Sequence, residues 1–284
     1  MRTAKNLPDS GGSVDLHVHT FFSDGTFSPA DVVARASRLG LKAIGIADHD
    51  TVAGIPSAIA AGEAAGVEIV PAIELSADGR QHEVHILGYF FRWQDIPFRK
   101  TLEKMARARY ERARSMAVKL REMGLEIGFD DILKISGEGT IGRLHVAKAL
   151  RDKGYIGDMQ EAFKKYIGKG CAAYVEKYRI SPADAIALIR SVGGMAVLAH
   201  PGLTRSDALI PGLKDAGLGG IEAYHIEHTP DMTKHYLSLA KRYGLAVSGG
   251  SDCHGHGKTS ILLGKVHVPY TVLSDMRTYH ASHA

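Results

Sequence analysis

The sequence lacks any apolar run near the roughly 18 residues that a membrane-spanning helix needs, so no membrane partner is expected. Cysteine is scarce. Cys171 and Cys253 cannot build a disulfide framework, which predicts a reducing, cytoplasmic setting. The opening residues MRTAKNLPDSGG carry no apolar signal core and read as a flexible leader over 1–12. No internal repeat or low-complexity tract is visible, and no feature points to an obligate protein partner. Neither sign of charge is in large excess: 35 Lys and Arg against 31 Asp and Glu leave +4, a mild bias toward anionic ligands that does not identify nucleic acid. What is present is an ordinary globular composition. The 284 residues are 45% hydrophobic and 23% charged, enough for one large domain with a substantial core. Histidine is the exception, with 15 in the chain, and their positions carry the argument.

Short apolar runs alternate with helical patterns. Val14 to Val18 alternates as a strand does, and Ser23-Asp24-Gly25 reads as a turn. Ser28-Pro29 supplies an N-cap and a proline at the first helical position, so a helix runs to about Leu39, where Gly40 stops it. KAIGIADHD reads as a buried strand, Ile55 to Ala65 as an alanine-rich helix, and VEIVPAIE and HEVHILGYF as two further strands. The rhythm resumes at Ser181-Pro182 with a helix, followed by the strands GMAVLAH and GGIEAYH, a helix over about 231–243 and the strand LAVSGGSD. Repeated strand-helix units predict parallel strands with crossover helices, in an α/β barrel or open sheet. From about 96 to 170 no strand pattern appears. Leu102, Met105, Ala106, Ala113, Met116, Ala117 and Leu120 fall at helical spacing there. This stretch reads as a helical insertion, leaving 13–95 and 171–270 to form the barrel.

Two imidazoles and a carboxylate stand at the end of the first strand. His17 and His19, two apart, share one face, and Asp24 follows on the loop. Asp48-His49-Asp50 ends the second strand, Glu74 the third and His200 the strand MAVLAH; Asp252 and His254 follow LAVSGG, and His85 lies within the fourth strand. In α/β barrels the carboxyl ends of the strands gather on one face, where active sites are built. Any one of these histidines could be a core or surface residue, but chance does not confine the whole set to one end of a sheet. Mixed imidazole and carboxylate donors, without a cysteine cluster, suit zinc, manganese or iron rather than calcium. So many donors imply two or three ions.

DLHVHTFFSDG, IADHD, PAIELSA, HEVHILGY, LAHPG and GSDCH, in that order over about 15–254, resemble the PHP (polymerase and histidinol phosphatase) metal-dependent phosphoesterases. The resemblance implies a distorted barrel of seven strand-helix units around a trinuclear metal centre. On it, His17, His19, Glu74 and Asp252 would hold a first ion, and Glu74 would bridge to a second completed by His85 and His200. Asp24, His49 and His254 would hold a third. Glu74, His85, His200 and Asp252 are the residues expected to be catalytic. The matching histidine of HEVHILGY is His85 rather than His82. The inserted segment resembles the branch of nucleoside 3′,5′-bisphosphate phosphatases and 5′-to-3′ exoribonucleases of short RNA. That resemblance implies substrate contacts from Arg143 and His145 in GRLHVAKAL, from Lys165 as an anion contact, and from His228. The sequence departs from the pattern at Leu203, where relatives carry Arg after HPG, with Arg205 two residues on. It departs again at Cys253, where Phe is common and a packing change is expected.

The implied chemistry is hydrolysis of a phosphomonoester or phosphodiester. A water bridging two ions becomes acidic enough to supply hydroxide, and the ions neutralise phosphate charge in the transition state. Asp48 and Asp50 are expected to orient His49 or another ligand rather than bind metal. Histidinol phosphate is the rival substrate, but its cationic amine calls for a carboxylate-lined pocket. The first inserted helix instead carries Arg99, Lys100, Lys104, Arg107, Arg109, Arg112 and Arg114, which favours a phosphorylated nucleotide or short oligonucleotide. Two readings from other classes remain open: a barrel amidohydrolase acting on C–N bonds, and a non-catalytic module of the same fold.

Overall fold

The chain alternates much as its apolar spacing predicts. β1 (Ser13–Val18) leads to α1 (Pro29–Arg38), β2 (Ala43–Ile46), α2 (Ile55–Ala65), β3 (Glu68–Asp78) and β4 (Glu83–Tyr89). A helical stretch follows: α3 (Ile96–Glu122), α4 (Phe129–Ser136), α5 (Arg143–Asp152) and α6 (Met159–Ala162), then a π-helical turn over Phe163–Ile167. After α7 (Pro182–Ser191) come β5 (Met195–Leu198), α8 (Pro201–Thr204), α9 (Ile210–Asp215) and β6 (Gly220–His225). The chain ends with α10 (Pro230–Tyr243), β7 (Ala246–Gly250), β8 (Val268–Pro269) and α11 (Tyr270–His283). This computed structural model describes residues 12–79, 83–137, 139–176, 178, 180–205, 207–257 and 260–283. Residues 1–11 of the expected leader, and His82, lie outside the described residues.

Local chemistry accounts for the helix starts. The Ser28 hydroxyl accepts the Asp31 N–H, Asp31 accepts the Ser28 N–H in return, and Pro29 follows the cap. Ser181, Pro182 and Asp184 repeat the arrangement at α7. Gly40, at φ 72°, turns the chain after α1 in the left-handed region that glycine tolerates.

The eight strands form one sheet in the order β7-β6-β5-β4-β3-β2-β1-β8. β1–β2–β3 and β5–β6–β7 are parallel sets. The expectation of parallel strands fails at β4, which runs antiparallel to both β3 and β5. Only residues 79–82 separate β3 from β4, far fewer than the dozen or so a parallel crossover needs. The reversal has a functional effect. His85, near the start of β4, pairs with Ser76 near the end of β3, so it reaches the same rim as the other strand ends. At that rim the sheet nearly closes on itself: Val18 bridges Cys253, and the His19 N–H donates to the Cys253 carbonyl at 3.0 Å. Gly250 permits the approach, because a Cβ there would lie 2.4 Å from the Cβ of His17.

The core is layered as an α/β barrel requires. Val14, Leu16, Leu87, Tyr89 and Val197 pack with Leu273 and Met276 of α11, a helix that continues beyond the expected barrel limit at 270. Val18, Ile44 and Ile46 meet Val32 and Val33 of α1. Ile73, Leu75, Ile86 and Leu198 meet Ile186 and Ile189 of α7. α3 belongs to two clusters. Phe98, Leu102 and Met105 pack on the barrel side, whereas Ala113, Met116 and Leu120 join Ile132, Val146 and Leu150 of α4 and α5. Ala106 departs from the expected core stripe and is exposed. Cys253 is buried among Val18, Phe27 and Ile44, as a packing residue would be.

Candidate metal centre

Eight side chains gather around one buried carboxylate, Glu74. His17 Nε2, His19 Nε2, Glu74 Oε2 and Asp252 Oδ1 stand 3.1–3.5 Å from one another in the contacts they make. The other oxygen of Glu74 faces His85 Nδ1 at 2.8 Å and His200 Nε2 at 2.9 Å, and those nitrogens are 3.3 Å apart. Asp24 Oδ1 lies 3.2 Å from His254 Nε2, and Asp24 Oδ2 lies 3.9 Å from His49 Nε2. His49 also reaches back, with Nδ1 3.1 Å from Glu74 Oε2. Glu74 is thus shared between groups, with one oxygen toward each.

The groups fit metal ions. Four donors about 2.0–2.2 Å from a tetrahedral ion stand roughly 3.3–3.6 Å apart, close to the spacing around His17, His19, Glu74 and Asp252. Three donor sets have atoms close enough to share an ion: His17, His19, Glu74 and Asp252; His19, Asp24, His49 and His254; and His49, Glu74 and His85. Asp24 Oδ1, His49 Nδ1 and Glu74 Oε2 are buried without a hydrogen-bond partner, which protein interiors otherwise avoid. The electrostatics agree. Burial would raise the carboxyls of Glu74, Asp24 and Asp252, yet the surrounding imidazoles hold all three well below the usual range. Burial would lower His19 and His85, but Asp252 and Glu74 push His19 up to about 9, and Glu74 pushes His85 up to about 10. Burial prevails at His49, lowered to about 4. The cluster is a set of ionised carboxylates calling for positive charge, which divalent ions provide.

A further ring of buried groups fixes these side chains. Glu222 Oε1 lies 3.0 Å from His17 Nδ1, and its Oε2 accepts the His200 N–H at 2.8 Å. Asp48 accepts the Thr20 N–H, the Thr20 hydroxyl and the Ser23 hydroxyl at 2.6–2.7 Å, and Ser23 Oγ lies 3.4 Å from His19 Nδ1. Asp50 accepts the Ser76 N–H at 2.9 Å and pairs with Arg109. Asp50, His200 and Asp252 have positive φ, at 55°, 27° and 52°, uncommon for non-glycine residues and typical of functional sites.

A cavity of about 210 Å³ opens between this cluster and the helical stretch. Asp24, His49 and His85 line one side; Arg109, Arg112, Arg143 and His145 line the other. Burial, reinforced by Arg143, lowers Arg112 to about 10, and the Arg143 guanidinium lies 5.3 Å from the Phe163 ring centre. His145 is buried, its Nδ1 accepting the Gly142 N–H at 3.0 Å.

Two expected substrate contacts are not brought here. Lys165 points to solvent and pairs with Glu161 at 2.5 Å, one helical turn earlier. His228 is buried with both ring nitrogens engaged by backbone, Nδ1 on the Ala223 carbonyl and Nε2 on the Gly202 N–H. It braces the turn after His200 rather than facing a ligand. Arg205 is exposed in a left-handed conformation at the end of α8. Of the seven cations expected on the first inserted helix, Arg109 and Arg112 line the cavity, whereas Lys100, Lys104, Arg107 and Arg114 are exposed. Sequence reasoning missed Glu222 and His225. His225 ends β6, with Nε2 3.7 Å from Asp252. A histidine at a strand end was the available signal.

The family model for the PHP domain matches residues 15–178. A 3′,5′-nucleoside bisphosphate phosphatase of Chromobacterium violaceum is 34% identical over 252 residues, covering 87% of this chain and 88% of that protein. A 5′-3′ exoribonuclease of Haemophilus influenzae is 32% identical over 245 residues, covering 84% and 89%. Among solved structures, a Bifidobacterium adolescentis protein assigned as a metal-dependent phosphoesterase superposes with a TM-score of 0.83 at 31% identity, covering 95% of this chain and 97% of that one. An amidohydrolase from Chromobacterium violaceum with bound SO4 superposes at 0.80 and 32% identity, covering 94% and 97%. With its carboxylate–imidazole cluster at the rim of a distorted α/β barrel, the chain belongs to the PHP domain family and is a metal-dependent phosphoesterase.

Proposed function

We propose that the substrate is a nucleotide phosphoester, either a nucleoside 3′,5′-bisphosphate or a short 5′-phosphorylated RNA. One observation carries this reading: a single cavity faces the Glu74 cluster on one side and the guanidinium groups of Arg109, Arg112 and Arg143 on the other. Such a wall attracts a ligand with more than one phosphate and repels an ammonium. Glu83, a carboxylate on the cavity, is directed at His85 Nε2 at 3.4 Å, which argues against the amine of histidinol phosphate. The activities named for the Chromobacterium and Haemophilus relatives support the same choice.

In this reading His17, His19, Glu74 and Asp252 hold one ion, Glu74 with His85 and His200 a second, and Asp24, His49 and His254 a third. Manganese, zinc or iron would supply an acidic water and positive charge for the phosphoryl oxygens. Glu74 keeps one oxygen toward each side of the cluster, and Glu222 and Asp48 hold the imidazoles in place. Arg143 and His145 orient the phosphate or nucleotide away from the reacting ester. Residues 96–170 act as an insertion that roofs the barrel of 13–95 and 171–270. The two free cysteines suit work in the cytoplasm.

The test is phosphate release from nucleoside 3′,5′-bisphosphates, short 5′-phosphorylated RNA, histidinol phosphate and an aryl phosphate, with manganese supplied and kcat/KM compared. The nucleotides should lead. Efficient histidinol phosphate turnover with little on nucleotides would reverse the substrate assignment and leave the metal centre standing.

A further inference from the structure

Across Thr140 from the catalytic cavity lies a second, larger one of about 450 Å³, within the range of small-ligand sites, about 300–1,000 Å³. Thr140 borders both cavities and is fixed in place. Its N–H donates to the Phe22 carbonyl at 3.0 Å, and its hydroxyl donates to the His49 carbonyl at 3.2 Å. The Asp50–Arg109 pair stands in the same partition, Asp50 bordering the second cavity and Arg109 the first.

The walls of this second cavity suit a flat ring. Phe22 and Trp93 contribute aromatic surface, and Leu102 and Ala106 of α3 contribute apolar surface. Trp93 is half-buried against the barrel-side core, which steadies it. Ala106, at helical spacing with core residues yet exposed, leaves the room. Arg99, also on the lining, is exposed and can meet a phosphate. Aromatic faces for bases beside a cation for the backbone are the means by which single strands are held.

We propose that the second cavity is a base-binding subsite for the nucleotide adjoining the one hydrolysed at Glu74. The strand passes over Thr140, with its neighbouring base against Trp93 and Phe22 and its phosphate toward Arg99. This rests on the nucleotide reading above and extends it to chain length: oligonucleotides gain a contact that a mononucleotide cannot make.

Trp93 is the only tryptophan of the chain, so its emission reports on the cavity. With the zinc-loaded protein, a 5′-phosphorylated diribonucleotide carrying a hydrolysis-resistant linkage should change that emission, and a nucleoside 3′,5′-bisphosphate should not. Trp93→Leu, and Ala106→Phe, which fills the cavity from α3, should each lose about tenfold or more in kcat/KM on a hydrolysable diribonucleotide. Both should keep bisphosphate turnover. Equal losses on the two substrates, diribonucleotide turnover untouched by both variants, or an equal emission change with the bisphosphate would overturn the subsite. If the unaltered protein hydrolyses neither compound, the nucleotide reading itself falls. Bisphosphate hydrolysis with flat variants removes the subsite alone.

Discussion

Glu222 and His17 are joined in the buried floor of the site, Oε1 of the carboxylate 3.0 Å from Nδ1 of the ring. A proton held there would leave Nε2, which faces Glu74 and Asp252, free to bind an ion. The same carboxylate anchors the His200 backbone, so one side chain sets two expected ligands. Glu222→Gln is expected to weaken ion affinity about 10–100-fold, read by titration against a competing chelator. Unchanged affinity would remove Glu222 from this role.

Sharing of Glu74 predicts an unequal pair of variants. Reconstitution with manganese or zinc should bring about three ions per chain, counted by elemental analysis; one ion or fewer would sink the trinuclear reading. Glu74→Gln should release two ions together and lower activity by more than the roughly 10–100-fold typical of supporting residues. Asp24→Asn should release one and cost distinctly less.

Arg143 lies on the cavity wall facing the cluster. If it meets a phosphate other than the one hydrolysed, Arg143→Ala should raise KM for a bisphosphate more than for an aryl phosphate. Loss of a charge-assisted contact costs about 1.5–3 kcal/mol, roughly tenfold or somewhat more in kcat/KM. Equal losses on both substrates would confine Arg143 to structure or to the scissile phosphate.

His228 predicts a pH effect on stability. Burial holds its imidazole below the ordinary 6.5, and its Nε2 must stay unprotonated to accept the Gly202 N–H. Below about pH 6.5 the unfolded chain therefore binds a proton that the folded chain refuses, so the stability this residue contributes is present above that pH and lost as pH falls. His228→Gln should lower the Tm at pH 7.5, and its deficit against the parent should shrink by pH 5.5. A deficit independent of pH would show that His228 is not held neutral.

Much of the candidate site was legible because most of its side chains lie at or near strand ends, and strand ends can be read from apolar runs and turn residues. His17, His19, His49 and His200 needed nothing more; Glu74, read as the end of its strand, lies inside β3, which runs on to Asp78. His85 was harder: it meets the others through the reversal of β4, and the stretch between VEIVPAIE and HEVHILGYF, too short for a crossover, was the signal for that reversal. Glu222 left only a weak mark, a charge inside the strand GIEAYH. Lys165 and His228 are not brought to the cavity, because sequence spacing does not say which way a helical turn or a loop faces. The solvent-facing pair with Glu161 and the two backbone bonds of His228 are tertiary facts.

The seam of the barrel adds a mechanical side to this chemistry. Between β1 and the segment after β7 the ring is joined by the Val18–Cys253 bridge, the His19 N–H bond to the Cys253 carbonyl and the Ser251 N–H bond to the Asp15 carboxylate. His17 and His19 stand on one lip, Asp252 and His254 on the other. An ion shared across that line would also be a clasp, drawing the first and last parts of the barrel together. Stripping it would leave the two lips held by those hydrogen bonds and by the packing of Cys253 on Val18 and Phe27, so the strain of losing the ions falls on the seam beside the site rather than on the layers behind α1 and α7.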